Sequence, residues 1–248
     1  MFQKMLTGAL GAGIAAWLLA AVLHFAFVQP YILLGEDYES GTAVHFGGVA
    51  TVTESATGAE VSDQDQAEVP EAYDSGAAGD VAPSDLTRNF WTVVFFGLVY
   101  VGYAVVLMAG FGLASVFGKV ITAREGLLWG IAGYAVFQLA PAMGLAPELP
   151  GIMAADLADR QLWWWATSLA TALGLASIAY GRGVAALAVG VVLLAAPHII
   201  GAPVPEGFSG VAPPEVAAAF SARVLGVALA VWALMGWVAG YLWSRETA

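Results

Sequence analysis

This chain of 248 residues contains three histidines, His24, His45 and His198, and no cysteine. Imidazole is the commonest metal ligand among side chains, and where thiolates are missing its usual company is carboxylate oxygen. His24 lies four residues before the end of an apolar run, 5–28, and His198 lies near the end of another, 183–200. Carboxylates sit beyond the same ends of the apolar runs, at Glu36, Glu39, Glu148, Asp156 and Asp159. An ionisable side chain within an apolar span marks a functional site by default, because the water that would solvate it is gone. His24, His198, Glu36, Glu39, Glu148 and Asp156 are therefore candidate ligands of a divalent cation. Nitrogen with oxygen suits Co2+, Ni2+ or Zn2+, and affinity order alone does not favour cobalt among them. Taken singly, each histidine also has a plainer role in one structural hydrogen bond.

Other chemistry is missing. Gly118-Lys119 imitates the end of a phosphate-binding loop, but Val120 stands where Ser or Thr is required and no strand precedes it. Gly11, Gly13 and Ala16 imitate a dinucleotide fingerprint inside an apolar run, where that reading has no support. There is no Gly-x-Ser-x-Gly and no His-Glu-x-x-His. Without cysteine, disulfides, iron–sulfur clusters and thiolate metal sites are excluded. The expectation is a protein that is not an enzyme and has no resident cofactor.

Apolar helices must position the candidate ligands. Hydrophobic residues make up 60% of the chain and charged residues 11%, with a mean hydropathy of +0.78. Soluble domains have about half and about a quarter. Apolar runs cover 5–28, 89–117, 125–145, 162–180, 183–200 and 220–243, near the length of about 20 residues that a hydrocarbon core of about 30 Å demands. The first is longer than a secretory signal's apolar region of roughly 7 to 15 residues and has no small-residue cleavage site after it, so it reads as a retained helix. The fold class expected is an all-α integral membrane protein, a six-span helical bundle. Residues 1–29 form the first span, 30–88 an acidic loop, and 89–248 five further spans. The fifth is the shortest and is joined to the fourth only by Tyr180-Gly181-Arg182-Gly183.

The formal net charge is −11, from 19 acidic and 8 basic side chains, which speaks against a nucleic-acid partner. With a cytoplasmic N-terminus, alternation places Lys4, Lys119, Arg124, Arg182 and Arg245 inside and Arg88, Arg160 and Arg223 outside, the direction of the positive-inside rule. Acids divide more sharply, with Glu125 and Glu246 inside and the other 17 outside. Both termini are thus expected in the cytoplasm. Twelve of the acids lie between Glu36 and Asp85, a stretch without Lys or Arg. Within it, 42–53 reads as a two-residue β-hairpin around Gly47-Gly48. Asp63, Asp65 and Glu68 lack the spacing of a calcium loop, and a solvated acidic segment is expected there.

Each outward-running helix meets a proline near its outer end, Pro30, Pro141 and Pro197, with a carboxylate after it, Glu36, Glu148 and Glu206. Each inward-running helix starts near an arginine, Arg88, Arg160 or Arg223. The pattern is that of three hairpin repeats. Small residues four apart, Gly126 with Gly130, Gly236 with Gly240 and Ala12 with Ala16, predict close helix packing and leave room for a homo-oligomer. Trp163, Trp164 and Trp165 at one membrane face, with Trp237, Tyr241 and Trp243 at the other, read as aromatic belts.

Particular strings carry a resemblance. Gln29-Pro30 with Glu36-Asp37-Tyr38-Glu39, then Leu145-Ala146-Pro147-Glu148-Leu149-Pro150-Gly151, Ala155-Asp156-Leu157, Arg160-Gln161-Leu162-Trp163-Trp164, and Pro197-His198-Ile199-Ile200-Gly201-Ala202-Pro203 resemble the CbtA family, predicted cobalt transporter subunits of prokaryotes. The resemblance covers nearly the whole chain outside 40–86. It implies a multi-span protein of the cytoplasmic (inner) membrane, tied to cobalamin metabolism, carrying Co2+ as transported ion, with a small single-span, histidine-bearing CbtB partner. It places His198, Glu148, Asp156, Arg160, Glu36 and Glu39 at family-matching polar positions, and His24 is added by its depth. Two other readings stand beside it: a scaffold or accessory subunit of a larger membrane complex, and a redox protein in which His24 and His198 ligate a b-type haem.

Overall fold

The structure, a computed structural model, describes residues 2–45, 85–207 and 209–247. The chain divides into two units, Met1–His45 with Val93–Ala248, and Phe46–Thr92. The described part of the second unit opens a helix, where Arg88 Nη2 donates to Asp85 Oδ1 at 2.9 Å and Thr92 Oγ1 to the Arg88 carbonyl at 3.0 Å. Residues 42–45 form a bend and turn. The rest of the hairpin expected over 42–53 lies outside the described residues.

The chain is all-α. Its elements are α1 (Phe2–Leu23), a π segment (His24–Val28), α2 (Gln29–Glu39), α3 (Asp85–Val116), α4 (Ala123–Tyr134), a second π segment (Ala135–Leu139), α5 (Ala140–Ala142), α6 (Leu157–Tyr180), α7 (Gly183–Ile200) and α8 (Pro214–Thr247). Met5–Glu39, α3, α6, α7 and most of α8 are long and apolar enough to cross a membrane. The third expected span, 125–145, is the contiguous run of α4, the second π segment and α5. It carries Glu125, Gln138 and Pro141. The short α7 has 18 residues, about 27 Å at 1.5 Å per residue. It stops at Gly201, whose φ of +89° only glycine adopts without strain.

The first helix does not end at 29, as the apolar pattern set it, but continues through Pro30 to Glu39. Proline is tolerated there because it sits in the first turn of α2, where its missing N–H has no α-helical partner to lose. Residues 30–39 thus leave the loop and lengthen the bundle.

The core is built around α8. Ala9, Ala12, Ala16 and Ala20 form one buried stripe of α1, and Ala228, Val231, Trp232, Met235 and Ala239 a buried face of α8. On α3, Ala104, Leu107, Met108 and Phe111 close the same core. Small residues set how near the helices come. A Cβ on Gly13 would lie 2.7 Å from the Val101 Cα of α3, and a Cβ on Gly130 would lie 2.9 Å from the Gly236 Cα of α8. The paired glycines of α4 and α8 therefore face each other inside one chain. In α6 and α7, Gly174 and Gly190 play the same part, and Ser177 Oγ donates to the Ala186 carbonyl at 2.8 Å across their turn.

At the end of the bundle opposite the termini, a cap covers the helices. It is made of α2, residues 143–156 and the described part of 201–213. Val28, Leu149, Ala212 and Phe220 form its apolar centre, with Tyr31, Ile152 and Val224 packed on it. Ser221 Oγ donates to the Pro147 carbonyl at 2.6 Å, and the Arg223 guanidinium lies 4.2 Å from the Tyr31 ring centroid. Met153 N–H donates to the Ser209 carbonyl at 3.0 Å beside an isolated bridge between Ile152 and Gly210. The Pro147-Glu148-Leu149-Pro150-Gly151 string is thereby pinned to α2 and α8.

Candidate functional site

Two helices are interrupted at matching places. The π segments start six residues before Pro30 and Pro141 and end two before them. In each, the N–H that follows reaches back five residues, Gln29 to the His24 carbonyl and Ala140 to the Ala135 carbonyl. The cause is local: a proline supplies no N–H to the carbonyl four residues earlier, at Ala26 or Phe137, and a widened turn rearranges the bonding around it. Pro197 lies within α7 without such a segment.

The sequence-predicted residues are placed as follows. His24 opens the first π segment, half-buried, and meets the Phe96 ring of α3 edge-on at 4.9 Å. Gly13 and Trp17 of the same face also pack on α3, with Trp17 Nε1 donating to the Val93 carbonyl at 2.7 Å. His198 lies in the last turn of α7, edge-on to Trp163 at 6.1 Å. Glu36 is partly buried on α2, and Glu39 is exposed with its Cβ beside Gly151. Glu148 accepts from Arg160 Nη2 at 2.9 Å. Asp156 caps α6, its Oδ1 accepting from the N–H groups of Ala158 at 2.8 Å and Asp159 at 3.4 Å. Among the described residues, no three His, Asp or Glu come together in a way that could hold a metal ion.

The three tryptophans part company. Trp163 is buried, Trp164 is half-buried and Trp165 is 64% exposed. Successive residues on a helix are 100° apart, so three in a row cannot all face lipid. Trp165 alone fits the expected belt.

What the fold does assemble is a cavity of about 410 Å3 at the capped end, over the break in the third span. Gln138 and Pro141 come from the broken helix, Pro147 and Glu148 from the cap, and Arg160, Gln161 and Trp164 from the first two turns of α6. The Glu148 and Arg160 side chains are about a third exposed, at 32% and 29%, and their charges cancel each other. The remaining polar side chains of the lining are the amides of Gln138 and Gln161 and the indoles of Trp164 and Trp165. The site can hydrogen-bond a hydrated guest without demanding that it shed its water.

A second cavity, about 510 Å3 and mainly apolar, lies nearer the termini between α3, α4 and α6, with Lys119 and Glu125 among its lining. Lys119 lies 5.4 Å from the Tyr180 ring centroid, and Glu125 closes a reciprocal cap with Thr122 at the start of α4. Phe137, in the middle of the second π segment, lines both cavities. Its ring stacks on Trp232 at 5.7 Å and 13°, and it touches Tyr103 at 5.2 Å and Trp164 at 6.2 Å. Below Trp164 on α6, Thr167, Ser168 and Thr171 are buried, and their hydroxyls have no hydrogen-bond partner among the described residues.

Gln138, Gln161 and Phe137 were not among the residues singled out from the sequence. A glutamine three residues before a proline within an apolar run was the available signal for Gln138. Nothing local marks Phe137.

A family model described as "Probable cobalt transporter subunit (CbtA)" matches residues 2–244. No curated protein and no solved structure matches the chain.

Proposed function

The chain belongs to this family of probable cobalt transporter subunits, and from that premise we propose that it is the membrane subunit through which a divalent transition-metal ion, cobalt, is taken up. The capped end faces outward, with both termini in the cytoplasm of a prokaryotic inner membrane. The acid balance of the loops supports this orientation, because a face rich in carboxylates raises the local concentration of cations. The observation that carries the reading beyond family membership is the cavity over an interrupted membrane helix. Broken helices with exposed backbone oxygen are where transporters receive ions near the membrane interior.

His24, His198, Glu36, Glu39, Glu148 and Asp156 offer nitrogen and oxygen atoms at this outer end singly, to the ion or to the waters of its shell, with further ligands from a small single-span CbtB-like partner. Weak, multiple sites suit a protein that must release what it binds. The test is cobalt accumulation in cells expressing the chain alone, with the partner, and with His198→Ala. Accumulation that depends on the chain and falls with His198→Ala supports the proposal. Unchanged cobalt in all three sinks transport and favours a scaffold subunit.

A further inference from the structure

Helical hydroxyls in this protein normally find a partner. Thr7, Thr92, Ser115 and Ser221 each donate to the carbonyl four residues earlier, at 3.1, 3.0, 2.9 and 3.1 Å. Thr167, Ser168 and Thr171 do not, although they are only 0%, 3% and 2% exposed. Buried polar groups away from water are costly, and a cluster of three on two turns of one membrane helix calls for a guest that bonds to them.

Their place names the guest. Ser168 lies one turn along α6 from Trp164, which lines the first cavity, and Thr171 adjoins Ala172, which lines the second. Along α6 the three hydroxyls thus fall between residues of the two linings, although they line neither cavity, and Phe137 belongs to both linings. The first cavity, at about 410 Å3, has room for a metal ion with six waters, which occupy about 30 Å3 each in the liquid. Its neutral Glu148–Arg160 pair and its amides bond to such waters rather than replace them. Hydroxyls below continue the same service, accepting hydrogen bonds from the ion's waters where the surroundings are otherwise apolar.

Resting on the transport reading above, we infer that the ion travels hydrated along the α4–α6 seam: held first beside Gln138, Gln161 and Glu148, stopped by the Phe137 ring, and received by Thr167, Ser168 and Thr171. The π turn under Phe137 gives the ring a backbone that can shift between helical registers, as π bulges at functional sites do.

The cysteine-free chain makes the test direct. Single variants Gln161→Cys and Ser168→Cys in proteoliposomes are exposed to a cationic, membrane-impermeant thiol reagent. Gln161→Cys reacts quickly. Ser168→Cys reacts slowly and gains about tenfold or more in rate with Phe137→Ala or Phe137→Leu, as expected for removal of a constriction. Hexaamminecobalt(III), which keeps its ligands, protects Gln161→Cys as Co2+ does. Equal Ser168→Cys rates with and without the ring, in variants that remain monodisperse, overturn Phe137 as the stop. No reaction in either background overturns the hydroxyl route, and protection by Co2+ alone overturns the hydrated form. Thr167→Val with Thr171→Val lowers cobalt uptake about tenfold on the same reasoning while Gln161→Cys labelling is unchanged; undiminished uptake overturns the hydroxyl route as well. Wild-type vesicles that take up no cobalt yet show the labelling pattern refute the cobalt transport reading and leave the path standing.

Discussion

Gly126 of α4 and Gly240 of α8 meet so closely that a Cβ on Gly126 would lie 2.6 Å from the Gly240 Cα. This is nearer than any real side-chain carbon sits to its neighbours, and backbone, unlike a flexible side-chain tip, cannot step aside. The seam between the broken helix and the central helix depends on it, and with it the position of the second π segment.

Gly126→Val forces α4 away from α8 and destabilises the bundle by about 1–3 kcal/mol or more, the usual cost of overpacking. Gly226→Ala on α8, where a Cβ meets nothing within 4 Å, gains up to about 1 kcal/mol from helix propensity. Thermal aggregation in detergent separates the two. A Gly126→Val protein as stable as wild type would mean that the seam is looser than described.

Replacing the buried hydroxyls by isosteric apolar groups, Thr167→Val or Thr171→Val, leaves folding stability unchanged or raises it by about 1 kcal/mol, since no protein partner is orphaned. A drop of similar size in denaturant midpoint would show that these hydroxyls bond to the protein after all.

Trp17→Phe keeps the ring against Gly97 but removes the Nε1 donor to the Val93 carbonyl. A loss of about 0.5–1.5 kcal/mol follows, the net worth of one hydrogen bond. Hydrogen exchange near residue 93 should quicken, and unchanged exchange would contradict the contact.

The Glu148–Arg160 pair couples weakly to stability, under about 1 kcal/mol in a double-mutant cycle, because both side chains are partly exposed. Glu148→Gln nonetheless impairs cobalt uptake at limiting ion concentration if the cavity is the entry. A large coupling with intact uptake would make the pair a structural clasp instead.

Much of the fold was legible because it is local. Apolar runs of sufficient length, the Tyr180-Gly181-Arg182-Gly183 turn and the glycine pairs of α4 and α8 each report on a few neighbouring residues, and each corresponds to a described feature. Pro30 was read as the end of a span, yet the helix passes it to Glu39. A proline forbids one hydrogen bond, and whether that stops a helix depends on what packs beyond it, here Leu149 and Pro150 beside Gly35.

Residue types alone thus settle that this is a bundle of apolar helices, and where a backbone hydrogen bond must be missing, since a missing N–H is a property of proline itself; that Pro30 and Pro141 follow π segments while Pro197 does not was decided by the fold. They also set out a polarised charge, as composition is summed along the chain. The place of Gln138 and Gln161 in one cavity, the burial of Trp163 beside an exposed Trp165, and the shared place of Phe137 in two cavities came only with the assembled structure. Each depends on which face of one helix turns toward another helix far away in sequence. That choice is made by packing the whole bundle, and no periodicity within a single helix encodes it.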